Sequence, residues 1–100
     1  KASEVRLGIV LLGLYEKMGR DLRVMEALQK DILPKAEDAL AISRDGFAQG
    51  RFSYLEVLDA QRTIFDVKQE YIQTATSYHQ FLVEMERLIG QPIDGGEPQR

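Results

Sequence analysis

From Ser53 to Ile89 the chain contains no glycine and no proline, and apolar or small residues recur at Val57, Ala60, Ile64, Val67, Tyr71, Thr74, Tyr78, Phe81, Met85 and Leu88. Spacings that alternate between three and four keep one face of an α-helix apolar, so a single helix is predicted through the whole stretch. At about 1.5 Å per residue it extends roughly 57 Å. A second seam at Leu58, Phe65, Ile72, Ala75, Leu82 and Ile89 runs beside the first. The apolar face is therefore wider than a two-stranded coiled coil needs, and the helix requires neighbours on two sides.

Both ends of this helix carry signals. Ser53 followed by Glu56 predicts a capping box, with Phe52 and Val57 placed as a hydrophobic staple. At the far end Arg87 lies in the last turn, Gly90 can take the left-handed conformation past the helix, and Pro92 forbids continuation. Residues 91–100, rich in Gly and Pro, are expected to form a loose tail.

Upstream, Leu7, Leu11, Leu14, Met18, Met25, Leu28, Ile32, Ala39 and Ile42 keep the same period, interrupted at Asp21 and Lys35. Leu12, Tyr15, Leu22, Leu33, Ala36 and Leu40 form the companion seam. Pro34 lacks an amide hydrogen and clashes with the preceding turn, which predicts a kink or short break near Leu33. Gly8, Gly13 and Gly19 each weaken a helix by about 1 kcal/mol relative to Ala, so part of the first 20 residues could be extended. The expected fold is all-α: a long antiparallel, coiled-coil-like helical hairpin with helix one at about residues 4–45, a tip at 46–52 and helix two at 53–90. Two helices cannot bury two seams each. The remaining apolar surface predicts self-association, or packing within a larger protein.

Composition narrows the function. Thirteen basic against sixteen acidic residues give a net charge of −3, which argues against a nucleic-acid partner. With 44% hydrophobic and 29% charged residues the chain has the make-up of a folded domain, not of a disordered one. The absence of cysteine removes disulfides, thiolate metal sites and thiol catalysis. The longest apolar run, Leu7 to Tyr15, falls well short of the roughly 20 residues that span a bilayer. The chain opens at Lys1 without a starting Met or a signal pattern, and reads as an internal piece of a longer polypeptide.

No catalytic residue, metal site or cofactor is expected. The single His79 has no carboxylate at i−4 or i+4 and reads as a half-buried seam residue. Acid pairs such as Glu37 with Asp38 and Glu84 with Glu86 lie among Lys and Arg as solvated faces. Tyr15, Tyr54, Tyr71 and Tyr78 follow the seams, as core aromatics with a wet hydroxyl do. The tip is different. Phe47 and Phe52 sit in or beside a solvent-facing turn, either as a candidate docking surface for another protein or as an ordinary staple with a chance aromatic.

Phe47, Gly50, Ser53, Leu55, Val57, Leu58, Asp59, Ala60 and Gln61 follow the pattern aromatic-x-x-Gly-x-x-Ser-x-Leu-x-Val-Leu-Asp-Ala-Gln. That pattern resembles the TolC-like outer-membrane efflux proteins. Ile32-Leu33-Pro34-Lys35-Ala36-Glu37, Tyr78-His79 and Glu86-Arg87-Leu88-Ile89-Gly90 resemble the metal-exporting branch of the family. The likeness is clear from about residue 30 to Gly90 and thin before it.

The resemblance implies a stave of a trimeric α-helical barrel in the periplasm of an outer-membrane protein, with its tip facing the inner membrane. It further implies that the tip touches the helical hairpins of a periplasmic adaptor (membrane fusion) protein in a tripartite pump. Gly46, Phe47, Gly50, Arg51, Phe52 and Ser53 inherit that docking role. Glu56 and Asp59 fall where the family places acids that ring the closed pore. Their i, i+3 spacing puts them on one helix face, although the capping box and the helix dipole would also account for acids here. The member that gives the family its name closes its gate with polar links from a Tyr and an Arg where this chain has Phe47 and Phe52, and neither phenylalanine can make them. Arg51 is the candidate substitute. The implied function is export of metal cations or other small toxic compounds. The rival reading is a free-standing helical dimerisation or scaffold module, which would need nothing from the tip beyond a turn.

Overall fold

The computed structural model describes residues 2–90, so the expected loose tail at 91–100 lies outside the described residues. The chain is a helical hairpin: α1 (Ala2–Ala27), a π-helical turn (Leu28–Ile32), α2 (Leu33–Ala48) and α3 (Tyr54–Ile89), with no strand among the described residues. No described helix is long and apolar enough to cross a membrane. Contacts group the described residues into two compact units, one formed by α1 up to Arg23 with α3 from Ala75 onward and the other by Val24–Thr74.

In the first unit Leu14 and Met18 are buried against α3, where Tyr78, Phe81, Leu82, Met85 and Leu88 are half-buried. Lys17 places its ammonium 5.6 Å from the centre of the Phe81 ring. The expectation that part of the first 20 residues is extended is corrected: α1 is helical from Ala2 onward, with Gly8, Gly13 and Gly19 inside it. Burial of the Leu14 and Met18 seam offsets the weak propensity of the glycines, since tertiary packing supplies most helix stability in folded proteins.

In the second unit Leu28, Ala36, Val57 and Val67 form the core. Pro34 stands in the first turn of α2, and the break expected near it takes the form of the π-helical turn just upstream. There the Leu33 amide donates to the Leu28 carbonyl, five residues back. The wider turn relieves the crowding of a proline ring against the carbonyl one turn before it. It also inserts one residue into the helical period. Buried and half-buried positions run Leu14, Met18, Asp21, Met25, Leu28 and then Leu33, Ala36, Leu40, Ser43, Gly46. The first seam of helix one is thus inward before the π-turn and the companion seam after it. Ile32, Ala39 and Ile42, which continue the first period, face solvent. On α3 all ten residues of the first seam are buried or half-buried, whereas Leu58, Phe65, Ile72 and Ile89 of the second are exposed.

Candidate functional site

The tip is built by the way α2 stops. Its axis runs on to Ala48, beyond the end expected at about residue 45, and Gln49 caps it. Gly50 follows with φ of +78°, a left-handed conformation in which a side chain would be strained. The Arg51 amide donates to the Gly46 carbonyl at 2.7 Å and the Gly50 amide to the Phe47 carbonyl at 3.0 Å. This pair of bonds is the Schellman closure, and it satisfies carbonyls that the helix end would leave open. A third amide, that of Phe52, also reaches the Gly46 carbonyl, at 3.2 Å.

Gly46 is buried, and the Phe52 ring occupies the space where its side chain would be. A Cβ on Gly46 would stand 2.6 Å from Phe52 Cε2 and 2.8 Å from Cγ. Phe52 therefore holds the turn closed. Phe47 and Tyr54 instead pair with each other, ring centres 5.3 Å apart at 52°, and both remain exposed. Such a tilted pair is worth about 0.5–1.5 kcal/mol beyond its burial. The tip residues thus divide into a scaffold of Gly46, Gly50 and Phe52 and an outward aromatic pair.

The polar groups of the tip follow from the same turn. Asp45 accepts a 2.9 Å hydrogen bond from Gln49 Nε2, and Arg51 lies 4.0 Å from the same carboxylate with both side chains exposed. An exposed pair at that distance adds little stability. At the start of α3 the expected capping box does not form: the Glu56 amide donates to the Ser53 carbonyl at 3.1 Å, and among the described residues neither the Ser53 hydroxyl nor the Glu56 carboxylate makes a hydrogen bond. The Asp59 carboxylate is likewise unbonded, its carbonyl accepting from Thr63 Oγ1 at 3.1 Å. Glu56 and Asp59 are exposed one turn apart.

Away from the tip, His79 is exposed and not half-buried, because it falls in line with the uncovered second seam of α3. Tyr71 and Tyr78 are half-buried, while Tyr15 and Tyr54 are exposed. No cluster of His, Cys, Asp or Glu among the described residues could hold a metal ion. An open apolar groove beside the π-turn is lined by Leu28, Leu33, Val67, Tyr71 and Ile72. The roles of Tyr54 and of Gly46 are not signalled by any periodicity. The trace they leave in the sequence is local: a glycine four residues before Gly50, and an aromatic straight after the expected cap.

Residues 20–91 match the family model described as outer membrane efflux protein. The chain is 36% identical over 90 residues to the cobalt-zinc-cadmium resistance protein CzcC of Cupriavidus metallidurans, in an alignment that takes in 90% of this chain and 22% of that protein. The chain therefore spans about a fifth of that relative's length. No solved structure matches.

Proposed function

Because the chain belongs to the outer membrane efflux protein family, we propose that it forms part of the periplasmic helical wall of an efflux channel and offers its tip to the adaptor protein of a tripartite pump. The family is one of transport channels, so the chain is a channel segment and not an enzyme. The free-standing scaffold reading is left without support.

One observation carries the wall reading. Each helix buries one apolar seam and leaves another in solvent: Phe65 and Ile72 on α3 are 61% and 58% exposed, and Ile42 on α2 is 62% exposed. A hairpin that served alone would gain nothing from that surface, whereas a stave with neighbours on both sides needs it. In a trimer, Glu56 and Asp59 would set six carboxylates around a narrow mouth, a field that favours cations. That agrees with a relative named for resistance to cobalt, zinc and cadmium, and metal cations are the cargo we assign, with other small toxic compounds as the wider class.

The wall reading predicts that the chain self-associates and that Phe65→Lys with Ile72→Lys shifts it to monomer without loss of helicity. Sedimentation equilibrium with circular dichroism measures both. A parent chain that is already monomeric and fully helical would remove the need for neighbouring staves.

A further inference from the structure

Asp21 interrupts the seam of α1 where the period asks for a hydrophobe, since Leu14, Met18, Asp21, Met25 and Leu28 follow one another at alternating spacings of four and three. Its carboxylate is half-buried, and Oδ2 accepts a 2.8 Å hydrogen bond from Ser77 Oγ on α3. The partners stand 56 residues apart in the chain. By contrast, the side-chain bonds of Lys30, Gln49, Thr63 and Arg87 join residues three or four apart. One turn before Asp21, Lys17 lies over the ring of Phe81, one turn beyond Ser77.

We infer that Asp21 and Ser77 form a register lock, a polar pair in an apolar seam that admits one axial setting of α1 against α3. The apolar neighbours do not choose a setting with the same sharpness. Leu14, Met18 and Met25 are unbranched at Cβ, and methionine adapts to whatever hole it meets. A slip of one turn exchanges one such side chain for another with little change in apolar burial.

The polar pair responds differently. A slip in one direction sets Asp21 against Phe81, which has no donor, and a half-buried carboxylate without a donor is strongly disfavoured. A slip in the other direction offers Asp21 the hydroxyl of Thr74 but takes Lys17 off the Phe81 ring. Polar residues at single seam positions are known to fix register in helix pairs at some expense of stability. The lock concerns the helix pair itself and stands apart from the channel reading.

The chain has no cysteine, so spin labels can be placed at will. With labels at Glu16→Cys and Gln80→Cys, both exposed positions, and excess unlabelled chain to dilute intermolecular pairs, pulsed dipolar spectroscopy should give one narrow distance for the parent. Asp21→Leu is expected to add a second population, displaced by a slip of about 5.4 Å, one helical turn, with its melting temperature unchanged or raised. Asp21→Asn keeps an acceptor and should restore the single distance. Ser77→Ala removes only the donor, and should populate the slipped setting in which Thr74 replaces it. A single unshifted distance in Asp21→Leu or in Ser77→Ala, with helicity retained, overturns the lock, and so does an Asp21→Asn variant as heterogeneous as Asp21→Leu. Should Asp21→Leu lose its helicity, Ser77→Ala decides the matter alone.

Discussion

Gly46→Ala destabilises the hairpin by about 1–2 kcal/mol, against the usual direction for a glycine inside a helix. On propensity alone the change should stabilise by up to about 1 kcal/mol, since alanine loses less backbone freedom. The added methyl, however, would lie 2.6–2.8 Å from atoms of the Phe52 ring, including the one nearest its root, so a rotation of the ring tip cannot clear it. Either the ring leaves Gly46 and exposes its apolar area, or the turn opens. Overpacking of this kind costs about 1–3 kcal/mol. The decisive measurement is a double-mutant cycle by urea unfolding. In a Phe52→Ala background the same Gly46→Ala change should stabilise, because only the propensity term is left. Gly46→Ala that stabilises in both backgrounds would mean that Phe52 does not rest on Gly46.

On the docking role proposed for the tip, the second large effect is on adaptor binding. Phe47→Ala removes one ring of the outward aromatic pair and Gly50→Asp forces a side chain into a left-handed position that holds the Schellman turn. In the full-length channel each is expected to lower affinity for the cognate adaptor hairpin by at least about tenfold, or 1.4 kcal/mol. Gly50→Asp acts twice, through about 1–2 kcal/mol of backbone strain and through a new negative charge on the exposed tip. Helicity should stay intact in both variants, because α2 and α3 are held by Ala36, Val57 and Val67 away from the turn. Surface plasmon resonance with circular dichroism as the control reads this directly. Binding that ignores both substitutions would mean that the tip is only a turn and that docking, if any, lies elsewhere on the wall.

How much of this was legible from residue types depends on the range of the physics involved. The long helix from Tyr54 to Ile89 was legible because its evidence is repeated ten times along the seam, and the first of its two seams is the one the structure buries. Gly90, with φ of +86°, follows the last turn as its neighbours suggested. Pro34 announced a break, but the number of residues in that break could not be read from the proline. A π-turn and a simple kink have the same sequence signature, and they differ in which seam faces inward afterwards. The tip showed its composition but not its division of labour. Whether Phe47 or Phe52 folds back depends on the geometry of a turn whose three amide hydrogen bonds converge on Gly46 and Phe47, and two phenylalanines five positions from one another look alike in a string of letters. Asp21 was visible as a gap in a pattern. Its partner could not be named, because no local rule connects it to Ser77.

The π-turn has a consequence for how this helix tolerates changes of length. A deletion within a packed helix normally rotates everything beyond it by about 100°, since each residue occupies that share of a 3.6-residue turn. Between Leu28 and Leu33, however, the chain already carries one residue more than the period requires. Removing Lys30, together with Pro34→Ala so that the regained α-turn has its amide and no ring collision, brings Leu33, Ala36 and Leu40 into frame with Leu14, Met18 and Leu28. The shortened chain should melt within a few degrees of the parent, whereas deletion of Glu16, inside the regular part of α1, should turn Leu14 out of the core. Homologous hairpins need not share one residue numbering through this segment, and a one-residue gap there marks a retained inward face and not a lost one.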